Sequence, residues 1–198
     1  TDPDESPARP KNPIVQKDDL WILGNHRILC GDATKAEDVA RALGDAKPNL
    51  MVTDPPYGVN YDPTWRVDTN MFKRGKESNG KVQNDDRADW REAWALFSGN
   101  IVYSWCASLF SDLAIQSLEA TGFERRYQII WVKQHFTFGR GHYHWQHEPC
   151  WYAVRAGTKG HWVGDRKQTT VWNIANNNPM GGGGEERLGH STQKPMEC

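Results

Sequence analysis

The chain has 198 residues, with 24 Lys and Arg against 25 Asp and Glu, a formal net charge of -1 and 37% hydrophobic residues. That length suits one ordinary domain and leaves little for a second, while the near-neutral charge excludes a protein that holds nucleic acid by electrostatics alone, which needs clustered Lys and Arg. No run approaches the roughly 20 apolar residues of a membrane-spanning helix, and no basic segment followed by an apolar one opens the chain, so a cytoplasmic protein without a membrane partner is expected.

Residues 1–19 are rich in proline and charge and read as a linker or frayed end. Leu20 to Leu23 and Arg27 to Cys30 are short apolar runs broken by Gly24-Asn25, a signal for paired strands. Thr34 with Glu37 makes a capping box for a helix carrying Ala36, Val39, Ala40 and Leu43, which Gly44 should stop. Leu50 to Thr53 reads as a buried strand that must end at Asp54, because Pro55 and Pro56 can neither continue a helix nor pair in a sheet.

Residues 59–87 form a long polar loop, expected to be mobile or functional. From Arg66 to Lys81 its basic residues Arg66, Lys73, Arg74, Lys76 and Lys81 outnumber Asp68 and Glu77, which makes it either a DNA-facing loop or an ordinary solvated one. Trp65 is the one tryptophan expected to touch a base rather than the core. Asp89 and Glu92 then cap a helix bearing Trp90, Ala93, Trp94 and Phe97. Asn100 to Trp105 is the next strand, Ser108 to Ala120 a second helix ending at Gly122, and the strands Tyr127 to Val132 and Cys150 to Val154 flank an aromatic, histidine-rich connection. After Ala156 the pattern fades, and Gly181 to Gly184 reads as flexible. The alternation predicts an α/β sheet, mostly parallel and covered on both faces.

The chemistry is concentrated in Asp54-Pro55-Pro56-Tyr57. It stands at the C-terminal end of a strand, where open α/β sheets bind ligands. An amine that attacks a methyl group must keep its lone pair free, so its N–H groups need acceptors. Asp54 can supply one and the carbonyl of Pro55 the other, since two prolines stiffen the turn and remove competing N–H groups. Tyr57 offers a flat face for a base taken out of the duplex, recovering roughly 1–3 kcal/mol of lost stacking.

These four residues resemble motif IV of the DNA amino-methyltransferases, and further segments follow in the order of that family's permuted, phage-type members. Gly31-Asp32-Ala33 resembles the element contacting the adenine ring of S-adenosylmethionine (SAM), Tyr143 to Pro149 a segment before a late strand, and Gly164 to Gln168 with Thr170-Val171-Trp172 a target-recognition region within 156–190. His190-Ser191-Thr192-Gln193-Lys194-Pro195 resembles the family's Thr-Gln-Lys-Pro element near the methionine end of the cofactor. The resemblance implies a partial Rossmann-like sheet over residues 20–198 with an antiparallel edge strand. It also implies SAM as methyl donor, double-stranded DNA as partner, and adenine N6 as target, with cytosine N4 the alternative. Asp54, Pro55, Pro56 and Tyr57 would be catalytic; Asp32, Ala33, Thr192, Gln193 and Lys194 would bind cofactor; Arg66, Lys73, Arg74 and Lys76 would bind DNA.

In that class a strand, a glycine-rich turn and an acidic residue follow Thr-Gln-Lys-Pro, and none is found here. The expectation is a fragment lacking the first two strands of the cofactor half, inactive alone, a binding module awaiting a partner half, or one member of a homodimer. No metal is expected: His135, His142, His144 and His147 share a stretch without paired carboxylates. Cys150 opens an apolar strand, where a thiol is inert, and all four cysteines are expected to be reduced, with Cys30, Cys106 and Cys150 buried. Asp32 has the alternative role of a helix-preceding cap.

Overall fold

A computed structural model describes residues 12, 14–62, 82–137, 141–175, 194, 195 and 198. The first unit is a hairpin of β1 (Leu20–Leu23) and β2 (His26–Leu29), with Leu23 opposite His26. Gly24, at φ 60°, makes the left-handed turn that a tight hairpin demands. The ladder starts earlier than the expected linker allows, because the Asp18 amide donates to Cys30 O at 2.7 Å and the Cys30 amide to Asp19 O at 3.0 Å. Cys30 is exposed rather than buried.

α1 (Ala36–Leu43) stops at Gly44 as the sequence indicates, but no side chain caps its start. The expected capping box is absent for a local reason. The Thr34 hydroxyl donates instead to Asp32 Oδ1 at 2.7 Å, closing a turn one step before the helix.

The main sheet contains β3 (Leu50–Thr53), β4 (Ile101–Trp105), β5 (Phe123–Thr137), β6 (Trp145–Arg155) and β7 (Val171–Asn173), in the order β3-β4-β6-β5-β7. β3 and β4 are parallel, as are β5 and β7, while β6 runs antiparallel to both its neighbours. The α/β class and largely parallel sheet are therefore present, with one correction. The reversed strand lies inside the sheet rather than at its edge, because β6, the next strand in the chain, pairs antiparallel with β5, and such a neighbour needs no crossover. β3 is itself an edge, with Leu50 49% and Val52 62% exposed, not the buried strand expected.

One face of the sheet is covered by α2 (Arg91–Trp94) and α3 (Ser111–Glu119), the latter entered through the 3₁₀ turn Ser108–Phe110. Trp94, Phe97, Val102, Ile115, Leu118, Phe123 and Ala153 form its core. The Trp94 indole donates to buried Ser117 Oγ at 2.7 Å, so neither polar group is stranded. On the second face Trp105, Ile129, Trp131 and Cys150 make a smaller cluster with Tyr57 and Trp172. That face remains open at Leu50, Val52 and Tyr127, so the cover expected on both sides is complete on one. Among the described residues no helix is long and apolar enough to cross a membrane.

Candidate active site

Asp54 follows β3 at the end of the sheet where β4 also terminates, and the two prolines turn the chain there. The turn is held from two sides. The Trp90 indole donates to the Pro56 carbonyl at 2.9 Å. Asp85, only 3% exposed, accepts from the amides of Gly58 at 2.8 Å and Tyr61 at 2.6 Å. Pro55 O receives no hydrogen bond among the described residues.

Gly58 has φ 79°, and an added Cβ would lie 2.8 Å from the carbonyl carbon of Arg87 and 2.9 Å from Ala88 N. Both obstacles are backbone and cannot swing aside. Gly58→Ala is expected to cost about 2 kcal/mol or more, from the left-handed conformation and the clash together; a denaturation midpoint equal to that of the parent would contradict this.

Tyr57 folds its hydroxyl back over the turn. Burial, reinforced by the charges of Glu148 and Asp54, raises its pKa far above the ordinary phenol value, so it stays protonated. Its O–H is shared between Asp54 Oδ1 at 2.8 Å and Glu148 Oε2 at 3.1 Å. Glu148 stands on β6 opposite Trp131, two residues before Cys150 on the same face, and pairs with Lys133 of β5. Burial alone would raise the Glu148 carboxyl, but Lys194 and Lys133 more than offset it and hold it below the usual range. The group is ionised in the folded state at lower pH than in the unfolded chain, so its stabilisation is present at neutral pH and lost as pH falls below about 4.3, the ordinary glutamate value. An acid titration followed by Trp fluorescence should show the site loosening there, and a profile flat through that range would refute the assignment.

Lys194 closes the arrangement from far along the chain. Its Nζ lies 2.8 Å from Asp54 Oδ1, 2.7 Å from the Tyr57 hydroxyl and 3.2 Å from Glu148 Oε2. The ammonium is also 5.1 Å from the ring centre of Tyr57 and 5.2 Å from that of Trp105. It occupies a box of two carboxylates and two aromatic rings, a setting that favours a nitrogen carrying hydrogens. The Asp54 side chain nevertheless remains 43% exposed, and no hydrogen bond among the described residues falls on its Oδ2. Below the box, Leu50, Val52, Tyr103, Trp105, Cys150, Trp172 and Cys198 line an apolar cavity of about 190 Å³.

The structure thus brings Asp54, Tyr57 and Lys194 together, with Pro55 and Pro56 shaping the turn. Asp32 and Ala33 lie in the bend between β2 and α1. The Asp32 carboxylate accepts from the Thr34 hydroxyl and amide, which holds its pKa below the usual value. Thr192, Gln193, Trp65, Arg66, Lys73, Arg74 and Lys76 lie outside the described residues. Val171 and Trp172, expected in a recognition segment, stand in β7. Lys133, Glu148 and Asp85 were not anticipated. The only signal for the first two was a charge adjoining each of two apolar runs, and Asp85 sits in a polar stretch with no pattern at all. Among the described residues no group of side chains could hold a metal ion. Burial raises the Cys150 thiol to about 12 and the Cys106 thiol to about 11, which removes either as a nucleophile near neutral pH.

No family model and no curated protein sequence matches the chain. Among solved structures it is similar to a crystal structure of the M1.HpyAVI–SAM complex, at 17% identity and a TM-score of 0.43, covering 71% of this chain and 62% of that one. It is similar also to a crystal structure of M1.HpyAVI, at 18% identity and a TM-score of 0.43, covering 70% of this chain and 61% of that one. The chain therefore spans less than two thirds of the length of each, 62% and 61%.

Proposed function

We propose that this chain carries the target-base side of a SAM-dependent DNA methyltransferase acting on the exocyclic N6 of adenine in an extruded base. The observation that supports it is the position of Lys194 Nζ, a hydrogen-bearing nitrogen held against Asp54 beside the rings of Tyr57 and Trp105. A base's amino group fits the same surroundings once Lys194 withdraws. Asp54 accepts one N–H and the Pro55 carbonyl the other, which leaves the nitrogen lone pair unengaged. Tyr57, kept neutral by its surroundings, supplies stacking area. As the nitrogen becomes cationic, the Asp54 carboxylate stabilises it and takes up the departing proton.

SAM supplies an electrophilic methyl group when bound. The described residues do not by themselves form its site: Asp32 Oδ1 is engaged by Thr34, and among the described residues no strand leads into a glycine-rich turn. The donor would depend on residues beyond those described, Thr192 and Gln193 among them, or on a partner half. The 198-residue chain alone is accordingly expected to bind SAM weakly or not at all, and calorimetry giving micromolar affinity would overturn that. With a complete donor site, incubation with duplex DNA and labelled SAM followed by nucleoside digestion should yield N6-methyladenine. N4-methylcytosine would move the target to cytosine, and DNA binding without any transfer would leave a binding module.

A further inference from the structure

The sequence reading places DNA contacts on the loop containing Arg66 to Lys76, but the structure draws attention to another element on the active end of the sheet. β5 and β6 run past the last residue of β4 as a two-stranded arm. Trp105 at the end of β4 is opposite Cys150, whereas β6 begins at Trp145 and β5 continues to Thr137. The register shifts within the arm, with Val132 opposite His147 but Thr137 opposite Trp145, so Lys133, Gln134, His135 and Phe136 face Gln146 alone. Such a bulge bends a strand and re-aims its side chains. The bend is anchored, since Lys133 pairs with Glu148, the Gln146 side-chain amide donates to Lys133 O at 3.2 Å, and His147 Nε2 lies 3.2 Å from Ser108 Oγ.

The arm is rich in exposed rings. Tyr143 is 92% exposed, Trp145 55% and Phe136 44%. Phe136 and His144 are stacked, with centroids 4.8 Å apart and planes 13° from parallel. Neither flank, Lys133 to Thr137 or Gly141 to His147, contains an Asp or Glu. Exposed aromatic area of this size on a short arm is unusual for a monomeric surface unless it binds something. The absence of carboxylates lets a phosphate backbone approach without repulsion, and the histidines are neutral or cationic, never anionic.

We propose that this arm is a nucleic-acid contact, in which Tyr143 and Trp145 stack on bases beside the one delivered to Asp54. The inference rests on the reading of Asp54 to Tyr57 as a base-holding turn, because both stand at the same end of the sheet. It differs from that reading in what it needs: stacking faces and no methyl transfer.

The test is fluorescence anisotropy of the 198-residue chain with a short fluorescein-labelled DNA of mixed sequence, single-stranded and duplex, without SAM. Tyr143→Ala and Trp145→Ala should each weaken binding by about tenfold, the effect of losing one base–aromatic stack, with circular dichroism and melting unchanged. Tyr143→Phe and Trp145→Phe, which keep a ring, should restore most of the affinity. Unchanged affinity in the Ala variants overturns the proposal, including the outcome in which the arm docks a protein instead, and so does a parent chain that fails to bind DNA. Asp54→Ala serves as the separating control. Arm variants that lose DNA in this assay, while Asp54→Ala in the protein with a complete donor site leaves methyl transfer intact, would uphold the arm and sink the base-holding turn. The opposite pattern would sink the arm alone.

Discussion

Asp54→Ala, in a protein with its methyl donor bound, should lower methyl transfer to adenine by about a hundred- to a thousandfold, the effect of deleting one preorganised group that faces developing charge. The carboxylate is well placed for this role, since its side chain is 43% exposed at the sheet's end and Oδ2 has no partner among the described residues. The nitrogen gains positive charge as the new bond forms, so an anion at hydrogen-bond distance interacts more strongly with the transition state than with the bound base. Donor affinity should stay within severalfold and the melting temperature should barely move, because Lys194 keeps its contact with Glu148 at 3.2 Å. Asp54→Asn, which retains one acceptor oxygen without the charge, should fall between parent and Ala. Turnover of the Ala variant near the parent level in a labelled-methyl assay would remove Asp54 from the mechanism.

For Glu148→Gln the larger effect is on stability. Glu148 is enclosed between two ammonium groups, with Lys133 11% and Lys194 14% exposed in their side chains. Removing its negative charge leaves Lys133 without its carboxylate partner and Lys194 with Asp54 alone, and breaking a buried pair in this way typically costs about 3–5 kcal/mol. In a chain of this size the melting temperature should fall by on the order of 10 °C. Lys133→Met in the Glu148→Gln background should recover part of that loss by removing one stranded cation, and a double-mutant cycle measures how much. A Glu148→Gln melting point equal to the parent's would show that the network holds nothing together.

The two substitutions separate roles that the structure places side by side. Asp54 is the exposed member of the cluster and faces the opening, while Glu148 is enclosed and braces Tyr57 and Lys194 from behind. Loss of the first is expected to slow the chemistry in a protein that stays folded. Loss of the second is expected to loosen the fold around the same site.

The sequence by itself determined the local geometry. Two prolines after Leu50 to Thr53 could only end the strand at Asp54, Gly44 and Gly122 could only stop their helices, and Gly24 could only mark the turn of the first hairpin, because each acts through its own backbone. Local preference was also where one expectation went astray, since Thr34 had two available acceptor arrangements and took the turn with Asp32 rather than the helix cap. Only the tertiary structure decided the rest. The insertion of β6 between β4 and β5 turned β3 into an exposed edge and carried an aromatic stretch that looked like a connection into an extended pair of strands. Lys133 and Glu148 each adjoin an apolar run and look like surface charges in one dimension. They become an enclosed pair because strand pairing places those two ends together. Lys194 reaches Asp54 across 140 positions. Periodicity and turn chemistry report what a segment prefers alone, whereas an ion pair or a strand neighbour depends on which distant segments share the space, and no local pattern encodes that.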